Sequence, residues 1–402
     1  MTIPTSPAGM SRTMTLLFAL AGASAVGNLY WAQPLLTRIA EDLGVSASSS
    51  GVLVTVTQLG YALGVLLLVP LGDAFNRRRF IPMVMGLSVL SLLFCSLAPG
   101  YGALLGGLAV LGVTTISGQL LVPLAGDLAS THQRGTVIGT IASSMLIGIM
   151  LSRFISGVIA DAFGWRAVYV TASVINIIFV LILARVLPGD VRRQRIPYGK
   201  LLGSIVGTVA NSRPAKVTLL IGASLFVVFM MFWSGMTFLL SAQPFSYTPA
   251  QIGLVNLFGL IGAFAAQRTG LLHDRGWSTW GTGAALLLVL ISVGILAVSS
   301  ISIVLITVSI ILFNLASQVV NILNQTRLLS IRPELRSRMN TAFVFCNFIA
   351  GAVGSALAGI CWEKGGWPLL ITAQIIFTLA ALIIWASQRK VLFKAETTAL
   401  KE

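Results

Sequence analysis

Long stretches of this chain carry no charge at all, and their lengths set the architecture. A helix crosses the hydrocarbon of a bilayer in about 20 residues. Runs 13–37 and 43–72 each supply one span. Run 80–126, hinged at Ala98-Pro99-Gly100, supplies two, and 135–160 (with Arg153 inside it) and 167–184 supply one each. After a polar stretch, 217–267 turns near Gln243-Pro244 and Thr248-Pro249 and 276–326 turns near Ser299-Ser300, giving two spans apiece; 339–362 and 365–388 give one each. The pattern predicts an all-α integral membrane protein of twelve transmembrane helices, spans 1–12, six on each side of the polar stretch. It divides the chain into a bundle at 12–187, a basic linker at 188–216, a second bundle at 217–390 and a tail at 391–402.

Composition agrees. Of the 402 residues 56% are hydrophobic and 9% charged, where a soluble domain carries roughly 25% charged residues. The net charge of +15 sits in short clusters between apolar runs, which is a signature of topology rather than of a nucleic-acid-binding face. With both termini cytoplasmic, all of the 26 Lys and Arg residues except Arg38, Arg153, Arg166 and Lys364 fall on the cytoplasmic side. That orientation, in a bacterial inner membrane, is the expectation. Run 13–37 is too long for a signal-peptide core and reads as a retained span.

The three cysteines lie in or near apolar runs, and His132 and His273 stand alone in short connections. No cluster has metal-ligand spacing and no phosphate-binding loop motif occurs, so no cofactor and no nucleotide-driven step is expected.

The halves resemble each other. At a shift of 202, Trp31 meets Trp233, Ser46 meets Thr248, Gly51 meets Gly253, Gly60 meets Gly262, Arg134 meets Arg336, Gly157 meets Gly359, Asp161 meets Glu363 and Trp165 meets Trp367. Their common order at equivalent helix ends argues for a duplicated six-helix unit.

Two local motifs carry a family resemblance. After span 2 stands Val69-Pro70-Leu71-Gly72-Asp73-Ala74-Phe75-Asn76-Arg77-Arg78, similar to the Gly-x-Leu-Ala-Asp-Arg-x-Gly-Arg-Arg signature of the major facilitator superfamily. A weaker copy, Gly270-Leu271-Leu272-His273-Asp274-Arg275-Gly276, lies in the second half. In span 5, Gly148-Ile149-Met150-Leu151-Ser152-Arg153-Phe154-Ile155-Ser156-Gly157 is in register with the Gly-x-x-x-Gly-Pro-x-x-Gly-Gly motif of drug/proton antiporters, with Ser152 and Arg153 replacing its Gly-Pro. The chain therefore resembles that superfamily, which implies two pseudo-symmetric six-helix bundles around a midplane site. The resemblance further implies that Asp73 tethers span 2 to the start of span 11 on the cytoplasmic side. Arg77 and Arg78 are expected to pair there with Asp127, the arginines alternatively serving only as topology determinants.

Arg153 is the one charge well inside a span. An unpaired arginine at mid-bilayer costs at least about 3 kcal/mol. About two helical turns separate it from Asp161, hence about 10 Å, so it either faces a cavity or interdomain seam or snorkels to the surface. Span 10 places Asn314, Gln318, Asn321 and Gln325 on one helical face, since they are four, three and four residues apart. Ser24, Asn28 and Trp31 in span 1, Thr115 and Gln119 in span 4, and Met230, Trp233 and Thr237 in span 7 form similar faces. The resemblance implies that spans 1, 4, 7 and 10 line the cavity, which makes Asn28, Trp31, Gln119, Trp233, Asn314, Gln318 and Asn321 substrate-binding candidates. Interhelical hydrogen bonding is the other reading of the same faces.

The function these features predict is secondary transport of a small organic solute by alternating access, by a monomer whose only other partners are protons and the lipid bilayer. A channel would show a filter or ring motif. A membrane enzyme would show convergent catalytic side chains, and neither is present. The antiporter-like span 5 and the aromatic, Met-rich span 7 point to proton-coupled export of drug-like or metabolite compounds; an uptake symporter or uncoupled facilitator for a sugar, amino acid or nucleoside is the alternative. All 11 acids lie in loops, at helix ends or in a terminus, so a proton carrier would be a boundary acid.

Overall fold

The computed structural model describes residues 9–130, 132–188, 207–265, 275–298, 301–331 and 335–399, with isolated positions 199, 203, 269 and 272. Among these no strand occurs, and the helices group into the twelve spans. Span 1 is broken: Arg12–Gly27, then non-helical turns over 28–32, a 3-10 turn Gln33–Leu35 and a short helix Leu36–Leu43. Span 2 is Ala47–Leu67, span 3 Arg77–Ser96, span 4 Tyr101–Thr114 and Ser117–Leu128, span 5 Arg134–Phe163 and span 6 Trp165–Val186. Span 7 is Arg213–Ser241, span 8 Pro249–Leu257 and Gly259–Ala265, span 9 Ser278–Val298 and span 10 Ile303–Ile331. The helix Arg336–Ala399 holds spans 11 and 12, divided at Gly366, whose φ of 58° lies in the left-handed region that glycine supplies without a Cβ clash.

Helix starts coincide with polar caps. Ser11, Ser46, Asn76 and Ser212 each accept a hydrogen bond from an amide of the following turn. Thr248 and Gln251 form a reciprocal capping box at the start of span 8.

Within the first half span 1 packs on span 5, span 2 on span 4 and span 3 on span 6; within the second, span 7 packs on span 11 and span 9 on spans 10 and 12. Two seams join the halves, span 2 against span 11 and span 5 against span 8. Spans 3, 6, 9 and 12 display large exposed apolar side chains, among them Leu90, Phe94, Ile178, Leu181, Ile291 and Ile383. That is a surface suited to lipid. Span 7, by contrast, is 78% buried over its most apolar window against 33% for span 6, so it lies inside the ring.

The end bearing the termini has its own polar fasteners. Arg77 donates from Nη1 to Asp127 Oδ2 at 3.0 Å and from Nε to the Gly72 carbonyl at 3.1 Å. In the second half Glu396 is buried and accepts from the Ser278 amide at 2.6 Å, the Thr279 amide at 3.0 Å and the Thr279 hydroxyl at 2.6 Å. A carboxylate thus meets the positive N-terminus of span 9. Arg327, also buried, donates to Ser278 Oγ at 2.9 Å and Thr282 Oγ1 at 3.0 Å, so one hydroxyl layer separates cation from anion.

At the opposite, distal end the two seams repeat one device. Asp161, ending span 5, accepts from the Ala250 amide in the first turn of span 8 at 3.0 Å. Glu363, ending span 11, accepts from the Ser48 amide in the first turn of span 2 at 3.0 Å. Beside each carboxylate a glycine pair brings backbones into contact. A Cβ on Gly157 would strike the Pro249 carbonyl oxygen, and one on Gly253 would lie 2.9 Å from the Arg153 carbonyl oxygen; one on Gly359 would lie 2.9 Å from Ser48 Cα, and one on Gly51 3.0 Å from the Ser355 carbonyl oxygen. Three of the residue pairs matched at a shift of 202, Gly51 with Gly253, Gly157 with Gly359 and Asp161 with Glu363, are therefore the two halves of one symmetric closure.

Candidate functional site

Where the bundles meet, polar groups gather around the break in span 1. Asn28 follows the last helical residue, Gly27, and is buried. Its Nδ2 donates to Thr115 Oγ1 at 3.1 Å and to Asn176 Oδ1 at 3.4 Å, while its Oδ1 accepts from Trp31 Nε1 at 2.9 Å. Thr115 stands at the matching interruption of span 4 and donates to the Ala25 carbonyl at 2.9 Å. Thr115 thus satisfies a carbonyl at the end of the first helix, and the Asn28 amide is satisfied by neighbouring side chains, as an apolar surrounding requires.

Five residues further on lies Gln33. Arg153, with no exposed surface, donates from Nε to Gln33 Oε1 at 2.8 Å and makes a weak contact from Nη1 to Met150 Sδ at 3.5 Å. Its guanidinium carbon sits 4.9 Å from the centre of the Tyr30 ring and 4.3 Å from that of Trp233. These are cation–π distances. Ser156 Oγ donates to the Trp31 carbonyl at 2.6 Å, and Thr237 Oγ1 to the Gln33 carbonyl at 3.0 Å. Arg153 thus faces the seam between bundles and does not snorkel: the broken segment of span 1 and span 7 enclose it.

Arg153 Nη2, Gln33 Nε2 and Trp233 Nε1 are buried without a hydrogen-bond partner. Among the described residues no carboxylate pairs with Arg153. On the second bundle's side Asn314 is buried, donates to the Ile310 carbonyl at 3.0 Å and leaves Oδ1 unpartnered. Phe229, Phe232 and Phe313 complete an aromatic wall, with Phe232 and Phe313 stacked at 3.8 Å between centres and Trp233 edge-on to Phe232.

The remaining predicted residues distribute unevenly. Gln119 is half-buried and donates to the Tyr61 hydroxyl at 3.1 Å. Gln318 and Asn321 are half-buried, and Gln325 is tied to Asn340 at 2.9 Å. The side chain of Asp73 lies outside the described residues, as do His273 and Asp274. Of the two arginines expected at Asp127, Arg77 makes the contact and Arg78 is exposed, with its amide held by Asn76 Oδ1 at 2.9 Å. Consecutive helical residues point about 100° apart, so both cannot reach one carboxylate from the same turn. Gln33, Asn176 and Arg327 are absent from the sequence-derived set. Gln33 had a signal, an amide before Pro34 inside an apolar run, where a proline interrupts helical bonding.

Two six-span bundles that meet around a buried polar centre define a membrane carrier. The family model for the Major Facilitator Superfamily matches residues 16–355, and this chain belongs to that superfamily of transporters; it is not an enzyme. It is 38% identical over 376 residues to the uncharacterized transporter YgaY of Escherichia coli O157:H7, covering 94% of this chain and 95% of the relative. It is 32% identical over 363 residues to the probable transporter SCO4007 of Streptomyces coelicolor, covering 90% and 84%. In fold it is similar to the nucleoside transporter NupG, with a TM-score of 0.76 at 13% identity over 94% of this chain and 99% of that one. A bacterial homolog of the human lysosomal transporter Spinster, in an inward-facing and unoccupied conformation, gives 0.72 at 17% identity over 96% and 97%.

Proposed function

We propose that this protein exports a small organic solute across a bacterial inner membrane by alternating access, as a monomer with both termini cytoplasmic and with protons as the counter-ion. The observation that carries the reading is the polar centre around Arg153, enclosed between bundles whose distal ends are closed by two equivalent carboxylate–amide contacts. With the termini cytoplasmic, the sealed end is the outer one, and solute loads from the cytoplasm. The aromatic wall of Phe229, Phe232, Trp233 and Phe313 suits a solute with an apolar body. Asn28, Trp31, Gln119, Asn314, Gln318 and Asn321 are the further residues proposed to meet the solute along its path. Asp73 serves the cytoplasmic gate with Arg77, which Asp127 holds in place, while exposed Arg78 is left to topology.

Proton exchange falls to boundary acids. The Glu363 carboxyl is held below its ordinary value by hydrogen bonds from Ser48, first its side chain and then its amide, and from Ser46. A carboxyl depressed in this way keeps its seam contact at neutral pH and loses it only as pH falls through that lowered value. Glu363 is therefore a latch rather than the carrier, and Asp161, which makes the equivalent contact with the Ala250 amide, is its counterpart in the other seam. Asp127 and Asp73 are the acids whose neutralisation we expect to uncouple transport.

The test is flux in proteoliposomes. Saturable counterflow is expected, with accumulation driven by an inward-acid gradient in the inside-out orientation and diminished by Asp127→Asn or Asp73→Asn. Equilibration indifferent to the gradient would establish the uncoupled facilitator instead, and accumulation together with protons the uptake symporter.

A further inference from the structure

Resting on the carrier reading, we infer that the transported solute carries an anionic head, a carboxylate or its chemical equivalent, which Arg153 receives together with Gln33 and Trp233. Three hydrogen-bond donors, on Arg153 and on two residues that touch it, are buried and unused: Arg153 Nη2, Gln33 Nε2 and Trp233 Nε1. The orientation of the Gln33 amide is fixed chemically. Arginine only donates, so the atom receiving its Nε is the amide oxygen, and the amide nitrogen is the one left over.

The cluster is rich in donors and carries an uncompensated positive charge. Tyr30 and Trp233 offer ring faces, which stabilise a cation but accept no hydrogen bond from Nη2. Met150 supplies only a thioether. A group with several acceptor oxygens and one negative charge completes all three donors and the charge at once. A neutral or cationic head leaves donors unpaired or places like charges together.

The internal repeat sharpens the point. Trp31 and Trp233 occupy equivalent positions, yet Trp31 gives its indole N–H to Asn28 while Trp233 has no partner. The second repeat thus departs from the first at the residue stacked on Arg153. The aromatic wall beyond it receives the remainder of the solute, making the ligand class an aromatic or otherwise apolar monoanion.

The test uses the full-length chain purified in detergent and a panel of benzoate, 2-naphthoate and indole-3-acetate, each against its methyl ester, with binding read by thermal shift. At least one carboxylate is expected to stabilise the wild type saturably while its ester does not. Arg153→Gln is expected to weaken that binding about tenfold or more, and Arg153→Lys to restore part of it. Trp233→Phe keeps an aromatic ring over the guanidinium but removes the N–H, and about a threefold weakening is expected even if Arg153→Gln does not fold. Esters that bind as tightly as acids, a panel with no binding carboxylate, or carboxylate binding unchanged in both Arg153→Gln and Trp233→Phe would overturn the assignment. Arg153-dependent binding without counterflow in proteoliposomes would leave the anion site standing and remove the transport reading. Counterflow of the esters, independent of Arg153, would do the reverse.

Discussion

Replacing Gly157 with valine is expected to prop open the distal end of the molecule and reduce solute counterflow at least about fivefold while leaving insertion intact. The new Cβ falls on the Pro249 carbonyl oxygen, and a backbone atom cannot rotate away as a side-chain tip can. Overpacking of this kind costs about 1–3 kcal/mol. In an equilibrium between two packings that is a shift of roughly 5- to 150-fold. The readout is a single cysteine at Thr237, which is buried here, in a background without Cys95, Cys346 and Cys361. A membrane-impermeant maleimide should label it faster in Gly157→Val than in the parent. Gly359→Val, in the equivalent seam, should behave the same way. Wild-type flux with a protected cysteine at Thr237 would show that the seam tolerates the methyl groups and does not set the closed state.

Removal of the Glu396 carboxylate is expected to destabilise the second bundle by at least about 4 kcal/mol. Hydrogen bonds to a charged group contribute about 1.5–3 kcal/mol each, and Glu396→Ala abandons three of them, two from backbone amides at a helix start. It also leaves Arg327 buried beside Ser278 with no anion behind that hydroxyl. Truncation after Lys390 should cost at least as much, and Glu396→Gln less, because the amide oxygen still accepts. Thermal unfolding in detergent, followed separately from transport, measures all three. A truncated protein as stable as the full chain would mean that the N-terminus of span 9 is adequately capped by water.

The number of spans was legible because charge in hydrocarbon is costly, and the uncharged runs therefore mark where helices can cross. Charge marks the edge of the bilayer and not the end of a helix, however. Arg389, Lys390 and Lys394 close the apolar run, yet the helix continues to Ala399 and brings Glu396 back against span 9. The repeat was legible too, since Gly51, Gly157, Gly253 and Gly359 kept a constant spacing. What the spacing could not say is that these glycines face the other bundle. The site was read in part. Arg153, Trp233 and Asn314 were visible as polar or aromatic groups in apolar surroundings. Gln33 was marked only by Pro34 after it, which signals an interrupted helix but not where the amide then points. The side chains that meet the break, Thr115 and Asn176, are distant in sequence, and no local pattern in span 1 reveals them.

Span 1 belongs to two bodies at once. Its 16-residue first part packs on span 5, whereas the short helix Leu36–Leu43 touches span 7 of the other half, with Thr37 and Ser241 hydroxyls 3.0 Å apart. A rod spanning both would have to bend or slip whenever the halves pivot. Residues 28–32, between the two parts, form turns rather than a continuous helix, and Tyr30 among them lies against the Arg153 guanidinium. A pivot of one half against the other would therefore turn span 1 at the residue that faces Arg153, and joint and site would be a single mechanical part.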